Sequence, residues 1–405
     1  MGDLRHPEAV LLHVLRVGAP HQAPAPDELH PGKVREEVAH GSSVPSVRRY
    51  HTLRLVLGVL GVAAGAAYLV AALALGLAEA VARAAATLTP ILAWQAAAVA
   101  IVLGAGHRLL TLPLTWARGY WLPRRYGLLH QPLRSWIGDR LKAAAIGGGL
   151  GLLAVMLVYS LIAATPLWWL VAAGAFVAIE VLLALVFPVW LLPLFHRVTP
   201  LEDEALRRRL LDLAARAGVA AVGVWVVDQS RKSRTANAAL AGLGATRRIL
   251  LFDTLVARFT PDEIEAVLAH ELAHHVHRDA GRGLAVQAAL TVLGLLVTDR
   301  LLDAGVALWG LAGRADPAGL PWLGLVLSAV GLVTTPLVNA FSRRVERRAD
   351  DFALALTGDV AGFVGAMERL ASLNLAERRP HPLKEALLYS HPSIDRRIAR
   401  ATARA

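Results

Sequence analysis

The sequence contains no cysteine. That absence excludes disulfides, thiolate nucleophiles and Cys-ligated metal sites, so any metal must be held by His and carboxylate. Charge is scarce as well. Only 18% of the 405 residues are charged while 56% are hydrophobic, and a mean hydropathy of +0.49 is foreign to an ordinary soluble domain. The formal net charge of +11 is spread among apolar segments and forms no aromatic-interleaved basic patch, which argues against nucleic acid as a partner. No internal repeat is evident. Residues 1–52 are polar, and their one apolar run, Ala9 to Val17, is interrupted by His13 and Arg16, so no secretory signal is expected and the segment reads as a cytosolic arm.

What the sequence does have is long apolar runs. Leu55 to Ala78 is free of charge and, at about 24 residues, long enough to cross the bilayer as a helix. Ile91 to Leu110, Ala143 to Ala164 and Leu167 to Leu192 repeat the pattern, giving a four-span membrane region over 53–198. Charged sequence with a helical period near Leu201 to Ala217 follows, then two short strand-like runs, Val222 to Asp228 and Arg248 to Phe252. This marks a first soluble segment, 199–283. Residues 284–340 read as a membrane hairpin, although Asp299, Arg300 and Asp303 leave open whether Leu284 to Leu308 is only a partly inserted helix. A second charged helical segment, 341–405, closes the chain. Lys33, Arg35, Arg48, Arg49 and Arg54 precede the first span, and Arg118 to Lys142 is strongly basic, whereas Arg83 alone sits in the loop between them. With about six spans, the positive-inside rule puts both soluble segments on the cytoplasmic side. The expected architecture is mainly α, an α-helical integral membrane protein in the lipid bilayer with a split cytosolic α+β domain.

The soluble segment carries a metal-binding pattern. Thr260, Pro261 and Glu263 spell a helix start with a capping box. His270, Glu271 and His274 then form HExxH on that helix. Four residues is about one turn, so both imidazoles project from one face, and Glu271 beside the first is placed to take a proton from a water on the metal. His275 and His277 read as solvated neighbours. A catalytic zinc needs a third protein ligand, and Ala280 stands where the metzincin pattern would have a histidine. The best candidate lies beyond the hairpin, where Glu346 and Asp350 stand four apart on one helix face. Glu346 is then the third ligand and Asp350 orients a ligand histidine, His270, through its other nitrogen.

Together with VWLLPLFHRVTPL at 189–201, SRKSRTANAALAGLGATRRILLFDTL at 230–255, SRRVERRADDFA at 342–353 and HPSIDRRI at 391–398, these residues resemble the membrane-integral, gluzincin-type zinc metallopeptidases of the type I CAAX prenyl endopeptidase family. The resemblance spans roughly half of the chain, about Pro188 to Arg397. It implies a zincin-like fold for the split domain, one catalytic Zn2+ on His270, His274 and Glu346, Glu271 as general base, and Asp350 behind the ligands. It further implies His391 as a donor to the oxyanion or substrate carbonyl, and Asn237 and Ala238 beside the bound peptide. Asn237 and Ala238 lie between the two strand-like runs, where an exposed edge can accept an extended substrate. The family's aromatics after the Asn-Ala pair are replaced by Ala239, Leu240 and Ala241. Its spans enclose a chamber, which Glu180 in the fourth span would face. Implied substrates are peptides or proteins that are membrane-associated, including lipidated ones, either in CAAX-type processing or in membrane-protein quality control. The competing class is a non-catalytic adaptor, or a transporter with an incidental HExxH. A transporter predicts inverted repeats or Gly/Pro-broken paired spans, and neither is found.

Overall fold

The computed structural model describes residues 44–241 and 247–404; the first 43 residues of the polar arm lie outside them. Helix α1 spans Val44–Ala74 and so begins within the stretch read as an arm, with Arg48, Arg49 and Arg54 on its first turns. A left-handed Gly76, φ 68°, reverses the chain into α2, Leu77–Leu88. The sequence predicts a loop at α2, and the structure has a helix there. At 12 residues it is about 18 Å long, too short to cross a bilayer, but it buries Ala78, Ala82 and Ala85 against its neighbours. Helix α3, Leu92–Trp116, continues through a widened turn to Arg125; α4 is Leu133–Ala164 and α5 Trp168–Val186.

Helices α9, Asp279–Trp309, and α10, Leu320–Thr357, form the later hairpin, so six helices are long and apolar enough to span. The two acids that put α9 in doubt are answered from outside the helix, and Arg300 is exposed. Asp299 accepts from Trp168 Nε1 of α5 at 2.7 Å and from Arg314, in the loop after α9, at 2.8 Å; Arg314 also reaches Asp303 at 3.1 Å. Because both acids sit near one end of a 31-residue helix, they leave a long apolar stretch intact. Tyr159, Trp168, Leu295, Leu302 and Leu323 pack where α4, α5 and the hairpin meet. Helix α4 packs against α3 and α5, but its glycine run faces open space: a Cβ added at Gly147, Gly148, Gly149 or Gly151 would meet nothing within 4 Å.

The remaining elements form a compact α+β unit. Strands β1 (Val198–Pro200), β2 (Val224–Val227), β3 (Ala238–Ala241) and β4 (Arg248–Phe252) lie in the order β1-β2-β4-β3. β2 and β4 are parallel, Val224 facing Ile249, and β3 pairs antiparallel with β4 at one edge. Helix α6 (Glu204–Arg216), capped by Asp203, then α7 (Asp253–Arg258) and α8 (Pro261–Val276) precede the hairpin. Helices α11 (Val360–Leu373), α12 (Pro382–Leu388) and α13 (Ile394–Thr402) follow it. One hydrophobic core joins the two flanks, with Leu210, Ile249, Leu268 and Leu272 from before the hairpin against Ala353, Phe363, Met367 and Ala401 from after it. The membrane hairpin is thus an insertion into a single folding unit, and Glu346 and Asp350 ride on the extension of the sixth long apolar helix into that unit.

Candidate active site

Helix α8 starts where its sequence says it should. Glu263 N–H donates to Thr260 Oγ1 at 3.3 Å and Thr260 N–H to Glu263 Oε2 at 2.8 Å, which satisfies two N-terminal donors reciprocally. Ile264, Leu268 and Leu272 are almost wholly buried and fix the rotation of the helix in the core. That rotation turns His270 and His274 toward α10, with ring centroids 4.9 Å apart and planes perpendicular.

Glu346 of α10 comes between them. His270 Nε2 lies 3.1 Å from Glu346 Oε2, and His274 Nε2 lies 3.7 Å from Glu346 Oε1. These separations straddle about 3.4 Å, the edge of a tetrahedron with ligand bonds near 2.1 Å. Although 3.1 Å from an imidazole nitrogen, Glu346 Oε2 is buried with no hydrogen-bond partner among the described residues. With His270 neutral and its proton on the Nδ1 that faces Asp350, Nε2 and Glu346 Oε2 each present a lone pair to the other. A buried acceptor without a donor costs stability unless a cation sits there, and this donor set fits a divalent metal. One nitrogen from each of His270 and His274 and a Glu271 oxygen also fall within 4.8 Å of one another.

Each histidine is held by a carboxylate on its far nitrogen. His270 Nδ1 is 2.9 Å from Asp350 Oδ1 and His274 Nδ1 is 3.2 Å from Asp279 Oδ2. An arginine then grips each carboxylate. Arg397 of α13 forks onto Asp350, at 2.5 Å to Oδ1 and 2.9 Å to Oδ2, and Arg348 bonds Asp279. Such outer contacts fix the tautomer and ring orientation of a metal-ligating histidine. Sequence reading found Asp350 but missed Asp279, Arg348 and Arg397. Asp279 gets there through Arg278, which adopts φ 54°, a left-handed conformation that is strained for a side-chain-bearing residue. The strain turns the chain sharply between α8 and α9 and returns Asp279 to the histidine five residues behind it.

Electrostatics follow from this burial. In the metal-free chain burial alone would lower the His270 pKa, but its contacts with Asp350 and Glu346 outweigh it and raise the pKa to about 9. Burial raises Glu271 above the usual carboxylate range, against the pull of His270 and His274, which suits a general base. His391, in the loop before α13, lies with Nε2 3.3 Å from Glu346 Oε1 and more than half of its side chain open; crowding by protein lowers its pKa. Ser390 Oγ is 2.8 Å from its Nδ1. Arg396 reaches Glu385 at 3.5 Å, not the His270, His274 and Glu346 group. Asn237 is exposed and Ala238 buried; they begin the edge strand β3, which packs along α8, and the Asn237 carbonyl accepts from Phe252 N–H at 3.0 Å. His275 and His277 stay outside the group, His277 edge-on to Phe352. Glu180 lies within α5, its Oε1 3.5 Å from Thr291 Oγ1 and its Oε2 unpartnered.

Comparison with known proteins agrees with this chemistry. The sequence profile of peptidase family M48 matches residues 200–405. That of the CAAX prenyl protease N-terminal region, described by five membrane helices, matches 25–197, where α1 to α5 lie. The uncharacterised metalloprotease YhfN of Bacillus subtilis is 33% identical over 312 residues, covering 76% of this chain and 73% of its own. CAAX prenyl protease 1 of Saccharomyces cerevisiae is 32% identical over 312 residues, 72% of this chain and 68% of its own. The crystal structure of Saccharomyces mikatae Ste24p superposes with a TM-score of 0.74 over 90% of this chain and 92% of that one, at 22% identity, and so shares the fold. An adaptor or transporter with an accidental HExxH does not account for these matches: the chain belongs to peptidase family M48, as a multi-pass membrane metalloendopeptidase.

Proposed function

We propose that the metal is a single zinc ion held by His270, His274 and Glu346, and that Glu271 is the general base of peptide-bond hydrolysis. The observation that carries this is the buried Oε2 of Glu346, which has no donor yet lies 3.1 Å from the Nε2 of His270. When bound, such an ion supplies Lewis-acid polarisation of a carbonyl and acidification of a water molecule. The side chains do the rest. Glu271 takes the proton of the attacking water and delivers it to the leaving amine, a transfer that general acid–base groups typically make about 10² to 10⁴ times faster. His391 donates to the developing oxyanion. Asp350 and Asp279 keep each imidazole's far nitrogen protonated and its near nitrogen free to bind. The open edge of β3 beginning at Asn237 and Ala238 receives the peptide as an added strand.

The basic residues flanking α1 and those between α3 and α4 support a cytoplasmic location for the two flanks of the split domain, 199–283 and 341–405. Substrates in this reading are membrane-associated or lipidated polypeptides. The names of the relatives favour C-terminal processing of prenylated proteins, and turnover of damaged membrane proteins is the other use of the same site. Assay of a prenylated peptide beside an unstructured soluble protein separates the two. The mechanism is tested with purified Glu271→Gln, which is expected to retain zinc by elemental analysis and lose cleavage. Zinc-dependent cleavage surviving in that variant would remove Glu271 from its role, and Glu346→Ala retaining stoichiometric zinc would remove the ligand set.

A further inference from the structure

At the membrane surface nearest the α+β unit, the segment between α5 and β1 leans over the first turns of α4. There Ser135, Asp139 and Lys142 on one side and Phe195, Arg197 and Arg231 on the other enclose an open cavity of about 340 Å³. Its charges do not cancel. Asp139 is taken by Lys232 at 2.7 Å and by Gln131 at 2.6 Å, and Asp228 by Arg231 at 2.9 Å and the Arg197 backbone N–H at 2.7 Å. Lys142 approaches Asp139 only to 3.9 Å and otherwise donates to the Leu194 carbonyl. The Arg197 guanidinium is exposed and makes no ion pair among the described residues. Four cations against two carboxylates leave a positive excess facing a concave surface, which concentrates anions.

The depth of the cavity narrows the choice of anion. Lys142 is the last charge on α4 before the apolar run from Ala143 to Ala164, so it marks the level where headgroups give way to hydrocarbon. Leu194 of the cavity wall is 49% exposed, and Leu141, next to Lys142 in sequence, and Trp190, on the same segment as Leu194, are 66% and 72% exposed, side chains suited to acyl chains with a tryptophan at the interface.

We propose that this cavity binds the phosphodiester of an anionic phospholipid, the Arg197 and Arg231 guanidiniums and the Lys142 ammonium taking its oxygens and the chains lying along Leu141, Trp190 and Leu194. Guanidiniums match phosphate oxygens in pairs, and the surplus charge repels the cationic end of a zwitterionic headgroup. The lipid then ties the α4–α5 pair to the α+β unit from outside the metal site. The test is native mass spectrometry of the full chain in detergent with phosphatidylglycerol, phosphatidylcholine or inorganic phosphate, using wild type, Arg197→Gln and Lys142→Gln/Arg197→Gln. The wild type is expected to retain one phosphatidylglycerol and neither alternative. The double variant is expected to hold it about thirtyfold more weakly, each surface cation contributing roughly a factor of five to six, with metal content and cleavage of an unlipidated peptide unchanged. Should the double variant fail to fold, Arg197→Gln, which removes a side chain with no ion pair, carries the comparison at about a fivefold loss. Equal retention by variants and wild type, equal retention of phosphatidylcholine, or equal binding of inorganic phosphate would each overturn the proposal, the last by making the cavity a site for free anions.

Discussion

The two histidines proposed to hold the metal, His270 and His274, are backed by the same His–Asp–Arg arrangement at different depths, which makes a controlled comparison. In the Arg397–Asp350 pair the side chains are 9% and 3% exposed; in the Arg348–Asp279 pair they are 39% and 6% exposed. Removing Arg397 strands a buried carboxylate whose remaining partner is His270, and breaking a buried pair costs about 3–5 kcal/mol. Removing Arg348 costs far less. Its guanidinium is already partly in water, and Arg282, 3.7 Å from Asp279, remains to share the charge, so a value near 1 kcal/mol or below is expected. Loss of such an outer contact typically weakens metal binding 10- to 100-fold. Arg397→Met should therefore weaken zinc binding by about a hundredfold, and Arg348→Met by no more than about fivefold. Arg397→Lys, which keeps the charge but loses the two-pronged fork, should fall between. Competition against a chromogenic chelator, with helical circular dichroism as a folding control, gives the three affinities. Equal affinities for the two Met variants, or the reverse order, would refute the idea that burial of the arginine sets how firmly each histidine is held.

Three further outcomes follow from the same geometry. Because burial raises Glu271 above the ordinary carboxylate range in the metal-free chain, its carboxyl should titrate with a midpoint above 4.5 when followed by NMR in metal-free protein; a midpoint at or below that value would contradict the burial that suits it to act as a base. In the metal-free protein His270 has its pKa raised to about 9 from 6.5, so its protonation stabilises the fold fully below pH 6.5, and that contribution is lost as pH rises through about 9. Metal-free protein should melt lower at pH 9.5 than at pH 6.5, and zinc should abolish the difference; an unchanged melting temperature in the metal-free form counts against it. In the hairpin, a Cβ at Gly305 would overlap the Trp322 indole, whereas one at Gly148 meets nothing within 4 Å. Gly305→Ala should cost about 1–3 kcal/mol through overpacking and Gly148→Ala should be neutral or stabilising, as thermal melts in detergent would show.

How much of this was legible in the sequence depended on how local each signal was. The start of α8 is written in adjacent residues, Thr260, Pro261 and Glu263, and the His270–His274 spacing needs only the helical period, so both could be read directly. Strand β2 carries a β-branched run and β4 a short apolar one, Ile249 to Phe252, and both were found, whereas β3, Ala238–Ala241, has no β-branched residue, and its strand character comes from pairing with β4. Helix α2 was passed over although it carries a signal, Glu79 and Arg83 one turn apart with Ala78, Ala82 and Ala85 on the buried face, because a search for spans discards a charged stretch this short. Asp279 could not have been found by residue type: its approach to His274 depends on a left-handed Arg278, at a position where Gly or Asn would have signalled the turn. Arg397 is different, since a signal existed. Ile394, Ile398 and Ala401 fall three or four residues apart on the buried face of α13, and Arg397 shares that face while Arg396 does not. An arginine on an otherwise apolar stripe must find a buried carboxylate or be expelled. Asp350, already singled out on α10, was the carboxylate available to it.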